Sequence, residues 1–250
     1  MTPLEWDAVT YDRVADPQEQ WAREVLDRLE LRGNERVLDA GCGSGRVTRL
    51  LVARVGDGVV VAVDASAAMV ERARVNLPAG VEVMRQDLLE LKLDEPVDVV
   101  FSTAVFHHIH DHERLFERIR AVLRPGGRLV AQCGGKGNIA AFRQCTDAVA
   151  AREPYADHLE GMPAPWRYEG PEATEQRLRV AGFDPVRCWL EPKPTMPADA
   201  SWFARTVLLN YHVERLPAAL VEPYVVDVLA ACGEPLELDY VRLNIEAVAA

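Results

Sequence analysis

The sequence predicts an α/β chain built on a doubly wound, mostly parallel seven-stranded sheet with helical cap insertions. Three observations predict it. Short apolar runs alternate with stretches of helical periodicity, the order that strand–helix–strand crossovers leave in a sequence. A glycine loop, Gly41-Cys42-Gly43-Ser44-Gly45, separates the first apolar run from the helical stretch after it. The second run, residues 59–63, ends on Asp64, about 20 residues past that loop.

The elements follow in order. Residues 17–31 place Trp21, Val25, Leu26 and Leu29 on one helical face. Residues 36–39 are the first strand, and its helix runs to about Val55. Gly56-Asp57-Gly58 turns the chain into strand two, residues 59–64. Ser66 stands where an N-cap belongs, opening a helix through Asn76. Residues 81–86 are strand three. Strand four, residues 97–103, is almost continuously apolar, as a parallel strand covered on both faces must be. A helix starts at Asp111 or His112 and runs to Leu123, Arg124-Pro125-Gly126-Gly127 ends it, and residues 128–133 are strand five.

After Cys133 the rhythm changes. Gly134-Gly135-Lys136-Gly137 is hinge-like, residues 138–152 read as an extra helix, and 154–171 as irregular chain. A core-type helix over 172–181 leads to strand six, 184–190. Residues 201–213 and 217–231 are two further helices, and 236–248 is the closing strand. The expected organisation is an N-terminal helical cap segment, 1–33, and one domain, 34–250, with lid insertions at 137–170 and 192–233. In open α/β sheets ligands sit outside the carboxyl ends of the strands, where both insertions leave the sheet.

Composition narrows the function. A chain of 250 residues with 49% hydrophobic content can bury a sizeable core. Lys+Arg 28 against Asp+Glu 39 gives a net charge of −11, with no basic stripe, which argues against a nucleic-acid partner. The negative surface favours a cationic ligand, and an anionic substrate would need its own local positive charge. The five cysteines, Cys42, Cys133, Cys145, Cys188 and Cys232, are odd in number and never in C-x-x-C spacing, the pattern of free thiols in a reducing compartment. Residues 1–16 are acidic and lack the apolar core of a signal peptide, and no apolar run reaches membrane-spanning length. The expectation is a cytoplasmic protein with no membrane partner; nothing in the sequence sets its oligomeric state.

The glycine loop and Asp64 belong to one device. Glycines let backbone approach a ligand closely, a helix N-terminus offers unpaired N–H groups, and an acid after strand two can grip a ribose diol. Together they predict an adenosine-bearing ligand. Dinucleotide enzymes carry G-x-G-x-x-G. Here the third glycine, Gly45, comes one position early and Asp39 precedes the first by two. This D-x-G-x-G-x-G run resembles motif I of the class I S-adenosylmethionine-dependent methyltransferases, whose fold is Rossmann-like. Three further runs carry the resemblance: Asp64 with Met69 on the next helix; Arg85-Gln86-Asp87-Leu88; and Asp98-Val99-Val100-Phe101-Ser102-Thr103 followed by Leu123-Arg124-Pro125-Gly126-Gly127-Arg128-Leu129.

The resemblance implies S-adenosyl-L-methionine as cofactor and S-adenosyl-L-homocysteine as product. It implies that Asp39, Gly41 and Gly43 surround the methionine end and that Asp64, with Ala65, holds the ribose. Asp87 would meet the adenine amino group and Leu88 flank the ring, with Met69, Ser102 and Thr103 completing the set. Tyr11 lies in a segment that in this family often folds over the cofactor. The insertions, with Trp166, Gly170-Pro171, Ala181-Gly182-Phe183 and the helix from Trp202 to Thr206, resemble trans-aconitate methyltransferases, which esterify a carboxylate of a small polycarboxylic acid. A small-molecule acceptor is implied, a carboxylic acid foremost.

A carboxylate is ionised at neutral pH, so its methylation needs cations or donors rather than a base. Candidate holders are Arg143, Arg167, Arg205 and His212, all in the insertions, arginine because its fork matches carboxylate geometry. Trp166 and Trp202 either line the acceptor pocket or anchor the lid. The run His107-His108-Ile109-His110-Asp111-His112 lies at a strand–loop–helix junction rather than on one helix face, and no metal is expected there. His107, the candidate catalytic residue, has three readings: a base for a hydroxyl or amine acceptor, a donor that orients a carboxylate, or a packed loop histidine. The alternatives are accordingly O- or N-methylation of another metabolite with a histidine base, and a non-catalytic cofactor-binding protein on the same fold.

Overall fold

The structure, a computed structural model, describes residues 16–250, with side chains from Glu19 onward. Tyr11 and the first part of the 1–33 segment lie outside the described residues. Seven strands form one sheet: β1 (Arg36–Ala40), β2 (Val59–Asp64), β3 (Glu82–Arg85), β4 (Val97–Thr103), β5 (Leu123–Gly134), β6 (Phe183–Pro192) and β7 (Val241–Ala249). Their order is β3-β2-β1-β4-β5-β7-β6. β7 runs antiparallel to β5 and β6; the other pairs are parallel.

Side-chain alternation builds a layer on each face of the sheet. Leu38, Val61, Val100, Leu129 and Ile245 point into the main core with Leu115, Phe116 and Ile119 of α4 (His112–Val122) and Leu178 of α7 (Pro171–Val180). Val37, Val60, Val99, Phe101 and Val130 point the other way, onto Val25 and Leu26 of the N-terminal helix, Leu29 just after it, and Leu51 and Val55 of α2 (Arg46–Val55). That N-terminal helix, α1, spans Asp16–Asp27. α3 (Ala67–Asn76) is opened by Ser66, whose hydroxyl accepts the N–H of Met69 at 3.3 Å.

Three boundaries differ from the sequence expectation. β5 begins at Leu123 rather than at Arg128. Val97 pairs with Leu123 and Val99 with Arg128, so Arg124-Pro125-Gly126-Gly127 is a bulge within the strand, with Gly126 at φ 75° and Arg124 bonded to Asp98 at 2.7 Å. β7 begins at Val241; of residues 236–240 only Leu238 makes a bridge, to Thr195, while Leu236, Leu238 and Tyr240 enter a separate apolar cluster. The helix expected over 201–213 is three pieces: α8 (Ala200–Phe203), a π-helical turn (Ala204–Leu208) and α9 (Asn210–Val213).

The two insertions share one apolar cluster. Phe142 and Val149 of α5 (Ala140–Ala150), Tyr155, Leu159 of α6 (Ala156–Leu159), Phe203, and Tyr224, Val225 and Val228 of α10 (Ala218–Cys232) pack with Trp21 and Tyr240. The Cys145 thiol donates to the Ala231 carbonyl at 3.5 Å, joining α5 to α10, and Cys42, Cys133 and Cys188 are buried. Among the described residues no helix is long and apolar enough to cross a membrane.

Candidate active site

The glycine loop is shaped by backbone bonds to the neighbouring strand. Gly41 and Cys42 both donate to the Val63 carbonyl, at 2.8 and 3.0 Å. Gly41 adopts φ 88°, and a Cβ there would stand 2.2 Å from Val105 Cγ2, so no other residue fits. Gly43, at φ 53°, has nothing within 4 Å of a Cβ position: it faces an open cleft. Its N–H donates to Asp64 Oδ2 at 2.9 Å, while Asp64 Oδ1 accepts the N–H of Ser66 at 2.9 Å. Asp39, Gly41, Gly43, Arg46, Thr103 and Ala104 line the cleft, and the N-terminus of α2 opens onto it. Ala104 holds φ 59°, a conformation L-residues adopt at a cost, at the turn leaving β4. Asp39 is buried and accepts the Thr48 hydroxyl at 2.7 Å. Burial pushes its carboxyl up to about 7, against the lowering effect of that bond and helped by the charge of Asp64.

The other expected cofactor residues are dispersed in environment. The Ala65 carbonyl accepts Arg85 Nε at 3.1 Å. Asp87 is exposed and caps the short 3₁₀ turn Leu88–Glu90 through the Leu89 N–H. Leu88 belongs to the main core and Met69 is buried. The Ser102 hydroxyl donates to the Ala40 carbonyl at 2.6 Å, linking β4 to β1. The structure therefore gathers Asp39, Gly41, Gly43 and Thr103 along the cleft and bonds Asp64 to Gly43, while Ser102 and Leu88 make packing and strand contacts.

His107 sits in a 3₁₀ turn, Phe106–His108, at the carboxyl end of β4. Its Nδ1 faces the Gly134 N–H at 3.3 Å. A ring nitrogen that accepts a backbone N–H carries no proton, so the neutral ring holds its proton on Nε2. Burial, then the charges of His108, Arg242 and His112, hold His107 well below the usual histidine range. His108 meets Tyr211 Oη at 3.1 Å and is pushed down to about 4, again mainly by burial. His112 Nε2 bonds the Phe106 carbonyl at 3.0 Å. His107 stacks on Tyr168 at 5.8 Å, and Tyr168 on Trp166 at 5.9 Å. Gly134 permits this: a Cβ there would stand 2.5 Å from Tyr168 Cε1.

The expected acceptor residues divide. Arg143 lies over the Tyr168 ring at 5.7 Å, the ring that also stacks with Trp166 and His107. Arg167 is drawn elsewhere: it bonds Glu169 at 2.6 Å and the His110 carbonyl and lies 3.7 Å from Glu113. Arg205 pairs with Glu222 at 2.7 Å on the surface, and Trp202 is 37% exposed. His212 is buried in the cap cluster region, stacked on Tyr224 at 5.7 Å, and burial pushes it down to about 4. A sequence shows these cations without their carboxylate partners, and the partners decide where the charge goes.

One residue escaped the sequence reading. Arg242, on β7, is the only lysine or arginine buried among the described residues, at 3% exposure. It pairs across the β5–β7 ladder with Gly134. Its guanidinium lies over Trp21 at 4.9 Å and its Nε reaches Gln132 Oε1 at 3.5 Å. Gln132 in turn donates to Asn244 Oδ1 at 2.9 Å, which also accepts Arg28 at 2.7 Å. The signal was present in the alternation Arg242, Asn244, Glu246, a polar face within an apolar strand.

Comparison with known proteins agrees with this architecture. Residues 37–127 match a methyltransferase domain family. The chain is 33% identical over 214 residues to a trans-aconitate 2-methyltransferase of Rhizobium leguminosarum bv. trifolii, covering 83% of this chain and 82% of that one. It is 30% identical over 228 residues to the protein of the same name in Variovorax paradoxus, covering 90% and 87%. A solved phosphoethanolamine N-methyltransferase 2 of Haemonchus contortus in complex with S-adenosyl-L-methionine superposes with a TM-score of 0.63 at 20% identity, over 97% of this chain and 56% of that one, a likeness of fold. With the D-x-G-x-G-x-G loop, the acid after β2 and the sheet order all in one chain, the protein belongs to the class I S-adenosylmethionine-dependent methyltransferases, enzymes whose cofactor is S-adenosyl-L-methionine.

Proposed function

We propose that this methyltransferase acts on a carboxylate oxygen of a small organic acid. The observation that carries the reading is the Gly134–His107 bond, which leaves the ring beside the acceptor region neutral, with a proton on Nε2 and no lone pair there to take another. S-adenosyl-L-methionine, when bound, supplies a methyl carbon on a sulfonium; its transfer to a carboxylate forms one O–C bond, breaks one S–C bond and releases no proton. A carboxylate acceptor is ionised at neutral pH and asks nothing of a base. A hydroxyl or amine acceptor would.

The residues fit the cofactor. The open space at Gly43 leaves room for it beside the loop, and Asp64, bonded to the Gly43 N–H, is the proposed holder of the ribose diol. Asp39 and Thr103 complete the proposed cleft, with Ala65, Met69, Asp87 and Leu88 proposed on the adenine side. His107 donates from Nε2 to hold an acceptor oxygen, while Tyr168, Trp166 and the cap cluster exclude water. The names of the relatives support a polycarboxylic acceptor.

Incubation with S-adenosyl-L-methionine and a set of small carboxylic acids, trans-aconitate among them, tests the reading. The expected product is a methyl ester that mild alkali cleaves to release methanol, in step with S-adenosylhomocysteine formation. A methylated product that resists alkali would contradict it.

A further inference from the structure

We propose that Cys145 and Cys232 are a modification site, a thiol pair that closes into a reversible disulfide and staples the two insertions together. This is independent of the acceptor reading. Cys145 lies on α5, three residues after buried Phe142 and four before buried Val149, at the edge of the helix face that enters the cap cluster. Cys232 is the last residue of α10, four after buried Val228 and seven after buried Val225, and it packs against the same cluster. The two cysteines thus stand on the faces by which α5 and α10 meet.

One hydrogen bond sets their separation. The Cys145 thiol donates to the Ala231 carbonyl at 3.5 Å. Across a planar trans peptide the Cα of the next residue, Cys232, lies roughly 3 Å from that oxygen, so Cys145 Sγ is within roughly 6.5 Å of Cys232 Cα. A disulfide needs the two somewhat closer. Rotation of the two side chains closes the gap at a helix end, where backbone yields most and Gly233 follows at φ 87°. Exposure singles out the same pair. Cys145 and Cys232 are partly exposed, while Cys42, Cys133 and Cys188 are buried. Burial pushes Cys133 and Cys188 up to about 12 and Cys42 well above the ordinary thiol range. An oxidant in solution meets Cys145 and Cys232 first.

Glutathione disulfide is a sufficient oxidant. Burial first, and then the neighbouring Cys145 thiol, push Cys232 up to about 12, so the first attack is assigned to Cys145. Cys145 gives up its proton and attacks one sulfur of glutathione disulfide; that S–S bond breaks and one glutathione leaves with the proton. Cys232 then loses its proton and attacks Cys145 Sγ, and the second glutathione leaves with it. Two protein thiols are oxidised by two electrons, and glutathione disulfide is reduced to two thiols. The new bond closes a loop from residue 145 to residue 232 that carries Trp166, Tyr168 and Tyr211, rings that meet each other and the pair His107 and His108. The glycine loop and Asp64 lie outside it. A bond this open to exchange follows the thiol–disulfide balance around the protein.

The test equilibrates the protein with reduced and oxidised glutathione in varied ratio, alkylates the remaining thiols and reads the pairing by mass spectrometry of the digested chain. Oxidised glutathione should give a Cys145–Cys232 linked peptide in most molecules, reversed by dithiothreitol, with Cys42, Cys133 and Cys188 alkylated only after unfolding. Closing so long a loop should raise Tm by at least about 5 °C, and neither C145S nor C232S should show that rise. C232S should stop at a mixed disulfide of glutathione on Cys145. S-adenosylhomocysteine affinity should agree within about twofold between the reduced and oxidised protein. Both cysteines left free, or each carrying its own glutathione, in fully oxidised glutathione would overturn the proposal. So would linkage to the buried thiols in equal yield, or a linked protein that melts below the reduced one.

Discussion

The backbone N–H of Gly134 lies 3.3 Å from Nδ1 of His107, so the last residue of β5 fixes the tautomer of a ring in the turn that follows β4. A buried histidine in the turn that follows β4 invites assignment as a base. Here the nitrogen able to accept a proton already faces a donor, and burial with the charges of His108, Arg242 and His112 disfavours the imidazolium. Nitrogen-15 NMR should show His107 neutral with its proton on Nε2 from about pH 6 to 9. A titration of this ring inside that window would contradict the assignment.

Asp39 makes stability depend on pH in an unusual direction. Its folded pKa, raised by burial from an ordinary 3.8 to about 7, lies above the unfolded value. Between those values the unfolded chain has released a proton that the native chain keeps, so this group's contribution falls as pH rises through the window and is level above it. Asp39→Asn removes the effect. The stability of the variant relative to wild type, from chemical denaturation, should improve by about 2–4 kcal/mol between pH 4 and pH 8. A difference that does not change with pH would show Asp39 ionised in the native state.

The loop glycines should separate folding from binding. Gly41→Ala would drive a Cβ to 2.2 Å from Val105 at φ 88° and should cost at least about 2 kcal/mol of stability. Gly43→Ala meets open space at φ 53° and should cost about 1 kcal/mol, yet weaken cofactor binding at least about tenfold. Thermal unfolding beside calorimetry reads both; equal binding losses with equal melting shifts would refute the distinction.

Asp64→Ala should weaken S-adenosyl-L-methionine at least about tenfold, from the loss of charge-assisted bonds to the ribose. The carboxylate also takes the N–H groups of Gly43 and Ser66, so Asp64→Asn, with one acceptor oxygen, should fall between alanine and wild type. Unchanged calorimetric affinity in the folded alanine variant would defeat the ribose assignment.

The cofactor half of this molecule was legible because its signals are local. Strand, glycine loop, helix and Asp64 lie within one stretch, and the β4 run is apolar because both faces are covered. The 124–127 bulge was hidden because Pro125-Gly126-Gly127 reads equally well as a helix stop followed by a turn. The groups around His107 are assembled from residues far apart in sequence. Arg167 is a bare positive charge in the sequence and is claimed by Glu169 and Glu113 in the fold, and nothing in the sequence shows that Arg242 is buried opposite Gly134. Charge in a sequence carries a sign and no partner.

The pH dependence of the chemical step bears most directly on the account. Single-turnover rates for wild type and His107→Ala, with both substrates saturating, should be nearly flat from about pH 6 to 9, because a carboxylate nucleophile is charged throughout, and the variant should lose less than about tenfold. A rate that climbs through a histidine-like pKa near ~6.5, with that limb abolished and kcat reduced roughly 10²–10⁴-fold in His107→Ala, would establish base catalysis and contradict carboxyl methylation.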